Sequence, residues 1–333
     1  MTDQSIDIVI HKFANRIVTS FSETTRIETG LRGKLGVVIF LLHYAKQYNR
    51  DKYESYATEL LEYIQDSLII GSNKTVVNYD LIDIGIGMNY IVSQELAVGD
   101  LDEVLDEVDS YLLSYLDYEN VLYLKYQHLT AIGKYFLLRI EATPLSVNHP
   151  CHIKALERIV ELLKLHTFGT SICNPAIVKF LYLSSRILPD KSIESLLIQQ
   201  LNHYPNQTDW YRSGIPHWFD TFFIPEDNEA LRNIIIKEIE EHSRKCLDND
   251  WSDTLESGTA GLIVWMNLMF GHISENKYSN IKNTAIKKIE SKMSNINQYK
   301  ILTDISLHQG CSGIGLALLS CIDNKCNQWI KLL

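Results

Sequence analysis

Long hydrophobic runs are missing from this chain of 333 residues. The longest, Val37 to Leu42, is far shorter than the roughly 18 apolar residues that a membrane span requires. The first residues, MTDQSIDIVIHKFANRIV, contain early acids and lack the cationic and then apolar order of a secretory signal. The six cysteines form no CxxC motif and no dense disulfide framework. These absences predict a reduced, cytoplasmic protein without a membrane span.

The chain also lacks an excess of positive charge, because 31 Lys and Arg stand against 41 Asp and Glu, a net charge of −10. Phosphate contacts dominate the affinity of nucleic-acid binders and normally require a basic face. The one Lys-rich tract, Lys277 to Lys300, is diluted by Ser, Asn and Glu and is typical of a solvated outer helix. We therefore expect no nucleic-acid partner.

Glycine and proline are scarce too, at 16 and 7 residues, which excludes a collagen-like or low-complexity chain. What the chain does contain is an internal repeat. Each window of the repeat has a small or special residue at its first or fourth position, followed by about six mostly apolar residues. Complete Gly-x-x-Gly pairs occur at Gly33, Gly258 and Gly310. The seven windows start 41 to 52 residues apart, at Gly33, Ile82, His128, Cys173, Gly214, Gly258 and Gly310.

Each window is typical of the start of a helix that is apolar nearly all round and must be buried. The segments between windows, such as Asn228–Arg244, have apolar residues three and four apart and predict amphipathic helices. Strand signals are scarce. The sequence therefore predicts an all-α protein, one domain over residues 1–333, in which about seven inner and seven outer helices form an α/α barrel. A closed ring is favoured over an open solenoid, because the first and last windows both carry the glycine pair.

These windows resemble the lanthionine synthetase C-like family, the cyclases of lanthipeptide maturation. The resemblance covers the chain from about residue 25 onward. It depends on the repeat count, the spacing and the final SLHQGCSGIGLALLS at Ser306–Ser320, which is similar to the family's closing repeat. The resemblance implies an α/α barrel that adds a Cys thiol of a precursor peptide to a dehydroalanine or dehydrobutyrine. In typical members zinc, held by two Cys and one His, activates the thiol, and a general acid protonates the enolate.

The zinc ligands implied by the resemblance are replaced in this chain. The fifth repeat reads WYRSG at Trp210–Gly214, so Arg212 or Tyr211, depending on the alignment, stands at the first Cys. In the sixth repeat Glu256 and Ser257 stand at the Cys-His pair. Arginine cannot bind zinc, and Glu with Ser makes a poor zinc site. We therefore expect no metal and no other cofactor.

The family's acid and base positions are replaced as well. The motif that carries a His in the fourth repeat reads Ser171-Ile172-Cys173, and the place of the family's catalytic Asp in the third repeat falls to Leu124. Cyclase domains that need no zinc exist in the family, so these losses leave open whether the chain is active.

The residues that we expect to carry any chemistry are His217, Arg212, Glu256 and Tyr211. His217 follows Pro216 at a predicted helix start, where it is either a general acid or base or a hydrogen-bonded residue of the barrel mouth. Arg212 and Glu256 either form an ion pair in the place of the metal or orient a peptide carboxylate and a thiol. The converging helix starts predict a rim that attracts anions. Cys311, inside a predicted buried helix, is expected to be a packing residue, and His128 a filler of space.

Three functions follow from these observations. The first is a zinc-independent lanthionine cyclase acting on a precursor peptide. The second is a catalytically inactive barrel that binds a precursor peptide or a partner enzyme, such as a dehydratase. The third is an unrelated α/α-barrel enzyme such as a glycosidase, which needs two carboxylates facing one cavity, with Asp83, Asp220 and Glu256 as candidates.

Overall fold

Helices make up nearly all of the chain that the structure, a computed structural model, describes. The described residues are 3–20, 28–66, 78–117, 124–167, 175–203, 225, 227–247, 252–256, 258–269, 275–293, 304–322 and 324–333. No residue in these ranges belongs to a β-strand, so the predicted all-α class is confirmed. In chain order the α-helices are α1 Asp3–Ser20, α2 Lys34–Tyr48, α3 Asp51–Asp66, α4 Tyr79–Ser93, α5 Leu101–Val104, α6 Asp106–Tyr115, α7 Tyr126–Ala142, α8 His149–Thr167, α9 Pro175–Ser185, α10 Lys191–His203, α11 Glu229–Cys246, α12 Thr259–Met269, α13 Glu275–Met293 and α14 Cys311–Ile322. A 3₁₀ helix, Asn324–Leu332, follows α14.

Two kinds of helix alternate along the chain, as the sequence predicted. In α2 every residue from Lys34 to Ala45 is buried, and in α14 every residue from Cys311 to Ser320. In the amphipathic α3 only Ala57, Leu60 and Ile64 are buried, at the spacing of one helix face. Among the described helices, none is both long and apolar enough to cross a lipid bilayer.

Six of the seven repeat windows open a described helix, namely α2, α4, α7, α9, α12 and α14. Pro175 is the first residue of α9, a position where its missing N–H costs no hydrogen bond. The fifth window, at Gly214, lies outside the described residues. The count of seven inner helices therefore stays a prediction.

The chain divides into two compact units. We call Met1–Ser67 with Ile215–Leu333 the terminal unit, because it contains both chain ends, and Leu68–Gly214 the central unit. Each unit has its own set of buried helices with amphipathic helices packed on them. The single domain over residues 1–333 stays a prediction.

In the terminal unit the last buried helix contacts the first. Helix α14 packs against α12 on one side and against α2 on the other, and α1 also lies on α14. The amphipathic α3 covers α2, and α11 and α13 cover α12. Trp329 of the 3₁₀ helix is fully buried, and its Nε1 donates to Ser320 Oγ of α14 at 2.8 Å.

In the central unit α7 is the middle buried helix. It packs against α4 and against α9, with α8 covering α7 and α10 covering α9. The short helices α5 and α6 lie on α4. The order of neighbours in space therefore follows the order of the repeat windows along the chain.

One contact recurs between neighbouring buried helices of both units. A glycine on one buried helix receives the aromatic ring of the next, and a Cβ at the glycine would overlap that ring. In the terminal unit this contact joins α14 to α2, the last described window to the first. The three pairs are Gly85 with Tyr135, Gly133 with Phe180, and Gly315 with Phe40.

Candidate functional site

The candidate site of the terminal unit begins with the loop that leads into α12. Thr259, the first residue of α12, donates its backbone N–H to Ser252 O seven residues earlier, at 3.1 Å. Ser252 Oγ accepts from the N–H of Thr254 at 3.2 Å and so holds the loop in a tight turn. A Cβ at Gly258 would overlap the backbone at Ser252 and Thr254. The glycine of this window is therefore required because backbone lies against it.

The loop that leads into α14 is a structural copy of this arrangement. Cys311 N donates to Asp304 O, again seven residues earlier, at 2.9 Å. Asp304 Oδ1 accepts from the N–H of Ser306 at 2.8 Å. A Cβ at Gly310 would overlap the backbone at Asp304 and Ser306. The two windows that share a full Gly-x-x-Gly pair in this half of the sequence thus share one loop geometry.

These loops occupy the N–H groups that normally make a helix start attractive to anions. In an ordinary helix the first N–H groups have no partner within the helix. In α12 the N–H groups of Thr259, Ala260 and Gly261 donate to carbonyls of the preceding loop at 3.1, 3.2 and 3.4 Å. In α2 the N–H groups of Lys34 and Leu35 do the same, at 2.8 and 3.2 Å. The expectation of an anion-attracting rim is therefore wrong at these two starts, because the loop itself supplies the acceptors.

Glu256, one of the predicted site residues, joins the two loop copies. Its backbone N–H donates to His308 O at 3.0 Å. Its carboxylate Oε2 accepts from Gln309 Nε2, also at 3.0 Å. The predicted importance of Glu256 came from its place in the repeat, whereas Gln309 as its partner was not predicted, because 53 residues separate the two.

Asp253 fastens the α12 loop to the outer helix α13. Its side chain is only 4% exposed, and Oδ2 accepts from Lys292 Nζ at 2.7 Å. Lys288 Nζ lies 3.9 Å from Oδ1, which also accepts from Thr259 Oγ1 at 3.1 Å. A buried carboxylate with two ammonium groups and a hydroxyl is satisfied within the protein. Asp253 therefore holds the loop in place and is not directed at a ligand.

Cys311, at the start of α14, is a packing residue, as the sequence predicted. It is fully buried. Burial, helped by the nearby charge of Asp304, raises the pKa of its thiol to about 12. At neutral pH the thiol is protonated, so it is neither a nucleophile nor a thiolate metal ligand.

The residues at the family's zinc positions do not fit the metal. Glu256 has its carboxylate bound by an amide. Of the two residues that the resemblance places at the first Cys, Arg212 or Tyr211, Arg212 has no lone pair to offer a metal. Within the ranges that the structure describes, no three His, Cys, Asp or Glu side chains are grouped closely enough to hold a metal ion. Tyr211, Arg212 and His217 lie outside the described residues, so the predicted ion pair of Arg212 with Glu256 stays a prediction.

The three carboxylates of the glycosidase hypothesis lie in different parts of the chain. Asp83 belongs to the central unit and Glu256 to the terminal unit, and Asp220 lies outside the described residues. That hypothesis needs two carboxylates on one cavity, and their pairing stays a prediction.

Two buried helices of the central unit, α4 and α7, begin differently, with side-chain caps. Asn78 Oδ1 accepts from the N–H of Leu81 at the start of α4, at 3.3 Å. At the start of α7, His128 Nδ1 accepts from the N–H of Lys125 at 3.0 Å, and the His128 ring packs on Tyr79 with 5.4 Å between centroids. Burial, together with the charge of Lys125, lowers the pKa of His128. His128 is therefore a neutral helix cap, which corrects the expectation of a space-filling residue.

A buried ionic cluster, which the sequence analysis missed, joins four helices of the central unit. The Arg139 side chain is fully buried, and its Nη2 lies 2.9 Å from Asp109 Oδ2 and 2.8 Å from Asp102 Oδ1. Asp109 also accepts from Tyr135 at 2.5 Å and contacts His152 Nε2 at 3.1 Å. An Arg inside the apolar run YFLLRI was the one signal in the sequence that pointed to this cluster.

Comparisons with known proteins add no assignment: no family model matches the sequence, and no curated protein matches it.

Proposed function

We propose that this chain is an α/α barrel of the lanthionine synthetase C-like type, and that it serves peptide maturation by binding rather than by chemistry. Its ligand in this proposal is a ribosomally made precursor peptide or the enzyme that modifies it. The proposal has two parts, the ring and the loss of catalysis, and different observations support them.

The contact between α14 and α2 supports the ring. A closed circle of repeats requires the last inner helix to pack on the first in the way that consecutive inner helices pack on each other. Gly315 of α14 receives Phe40 of α2, just as Gly85 of α4 receives Tyr135 of α7. An open solenoid gives no reason for this repeated contact between the two ends of the chain.

The hydrogen bond between Glu256 and Gln309 is the main observation in favour of binding without catalysis. It lies where the resemblance places two of the three zinc ligands, and it joins a carboxylate to an amide, which activates no thiol. The N–H groups of α12 beside it are occupied by the loop, so this helix start offers no hydrogen-bond donors to an enolate. In this proposal the site has the framework of the family without its reactive groups.

The zinc-independent cyclase remains the competing function, with His217 as the acid or base. Both functions predict peptide binding, and only one predicts thiol consumption. The deciding experiment incubates the purified protein with a dehydrated, Cys-containing peptide. Binding is measured by fluorescence anisotropy, and free thiol is measured by alkylation and mass spectrometry.

We expect the peptide to bind while its thiol disappears no faster than in buffer alone. Thiol loss that is accelerated by the wild-type protein and abolished in His217→Ala would establish the cyclase and reject the binding function. The Glu256→Gln variant is the matched control for the described site. Its amide keeps an oxygen that accepts from Gln309, so we expect peptide binding within about twofold of wild type.

A further inference from the structure

Three nearly fully exposed aliphatic side chains lie on two loops of the central unit. Val98 is 107% exposed, Leu145 97% and Val147 89%, more than any other large hydrophobic residue that the structure describes. Val98 lies after α4 and the other two after α7. Single exposed aliphatic residues are common on protein surfaces, whereas a group of them indicates a contact surface.

The second loop is bonded to α5, the helix that directly follows the first loop. Ser146 Oγ, between the two exposed aliphatic residues of the second loop, donates to Asp102 Oδ2 at 2.5 Å. Asp102 also accepts from the buried Arg139 at 2.8 Å. Val104, 38% exposed, lies on α5 beside Asp102. This hydrogen bond therefore joins the loop that carries Leu145 and Val147 to α5, the short helix that begins soon after Val98.

Negative charge is concentrated in the segment of the chain that contains Val98 and Val104. Residues 75–124 contain 11 of the 41 acids of the chain and no Lys, Arg or His. The remaining 283 residues contain 30 acids and 31 Lys and Arg, so they are almost neutral. The exposed acids closest in sequence to Val98 and Val104 are Glu95, Asp100, Glu103, Asp106 and Glu107.

One of these acids, Glu95, is an unfavourable residue type for its position after a helix. Glu95 has a left-handed backbone with φ of 53°, at a helix end where glycine or asparagine is favoured. A carboxylate at a helix C-terminus is also repelled by the helix dipole. Asn49, at the equivalent end of α2, has φ of 51° and follows the usual preference. Departures of this kind are expected where a surface serves function.

We propose that this surface, formed by Val98, Val104, Leu145 and Val147 with their surrounding acids, is a docking site for a basic, amphipathic peptide segment of a partner. Aliphatic side chains of the segment cover the exposed ones, and its Lys and Arg face the acids. An anionic partner is repelled by this surface, which excludes nucleic acid. The proposal depends on neither the ring nor the loss of catalysis.

A synthetic peptide of Lys and Leu at amphipathic helical spacing, labelled with fluorescein, is the probe. Its affinity for the full chain is measured by anisotropy at low and at high salt. One variant removes the aliphatic side chains and a second removes four charges while keeping shape. The aliphatic variant combines Val98→Ser, Leu145→Ser and Val147→Ser. The charge variant combines Asp100→Asn, Glu103→Gln, Asp106→Asn and Glu107→Gln.

Matched controls carry the same kinds of change elsewhere. The apolar control changes exposed residues of α8 and α10, and the charge control removes four exposed acids of α3. The apolar control combines Leu165→Ser and Ile198→Ser. The charge control combines Asp51→Asn, Glu54→Gln, Glu59→Gln and Glu62→Gln. Thermal unfolding of every variant is recorded, so that a misfolded variant is recognised and replaced by its single substitutions.

We expect each variant of the surface to weaken binding by roughly tenfold or more, and each control by less than about twofold. High salt is expected to weaken binding to wild type, because exposed charges are screened. Three results would overturn the proposal. In the first, the wild-type protein does not bind the peptide. In the second, the surface variants and the controls lose equal affinity. In the third, neither surface variant loses affinity.

Discussion

Helices α12 and α14 of the terminal unit start by different means from α4 and α7 of the central unit. In the terminal unit the loops before α12 and α14 turn back on themselves, and backbone carbonyls such as Ser252 O and Asp304 O accept from the first helical N–H. In the central unit the side chains of Asn78 and His128 make the first bonds of α4 and α7. Glycine is required in the first arrangement, because backbone lies where a Cβ would be.

This difference explains why the glycine pair is complete in the windows of α12 and α14 and incomplete in those of α4 and α7. Where backbone seals the helix start, any side chain at Gly258 or Gly310 collides with the loop. Where a side chain caps the start, as at α7, the first window position is free to become His128. In the central unit the ionic cluster around Arg139 joins α5, α6, α7 and α8. The comparison therefore predicts different weak points in the two units.

The largest effect is expected from Arg139→Leu in the central unit. The substitution leaves Asp109 buried without its guanidinium partner, and breaking such a pair typically costs about 3–5 kcal/mol. Urea unfolding of the full chain measures the loss. The double variant Arg139→Leu with Asp109→Leu removes both charges and is expected to recover part of it. A double variant as unstable as the sum of both single variants would contradict the cluster as described.

A smaller loss is expected from Gly258→Ala or Gly310→Ala in the terminal unit. The added methyl group collides with backbone that has to move, which typically costs about 1–3 kcal/mol. The two losses are expected to be equal, since the loops are copies. Gly99→Ala is the control, because a Cβ there has ordinary contacts at 3.5 Å with Val92 and Val104. A control as unstable as Gly258→Ala would show that collision with backbone is not the cause.

Acid is expected to weaken the ionic cluster of the central unit. Burial alone would raise the pKa of Asp109, but hydrogen bonds from His152, Arg139 and Tyr135 hold it below its usual value. Asp109 therefore stabilises the fold fully above its unfolded pKa of about 3.9, and the contribution is lost as pH falls through the lower folded value. Unfolding of wild type and Asp109→Asn at pH 6 and pH 3 measures this. The stability difference between them is expected to shrink at pH 3, and an unchanged difference would contradict the assigned direction.

The smallest effect, and a gain, is expected from Glu95→Gly. Glycine accepts the left-handed backbone that Glu95 adopts and removes a carboxylate from a helix C-terminus, for a gain of about 1 kcal/mol. Asn49→Gly, at the equivalent end of α2, is the control and is expected to change the free energy of unfolding much less. Equal gains in both variants would contradict a special cost at Glu95.

The helices were predictable from sequence, and the pairings between them were not. Burial all round gives α2 and α14 mostly apolar segments, which a local pattern reveals. The bond between Glu256 and Gln309 joins residues 53 positions apart, and the bond between Arg139 and Asp109 joins residues 30 apart. Such pairs depend on how helices pack, which no local pattern records. The repeat pattern singled out Glu256 as a candidate residue but not Gln309 as its partner.

Hydrogen exchange at the helix starts tests most directly the claim that the terminal unit seals its candidate site with backbone. The amides of Thr259 and Cys311 are the first of their helices, where exchange is ordinarily fast. We predict that both are protected nearly as well as amides in the middle of α12 and α14. Leu81, whose amide is capped by the exposed Asn78, is predicted to exchange faster. Exchange of Thr259 and Cys311 at the rate of exposed amides would contradict the sealed site.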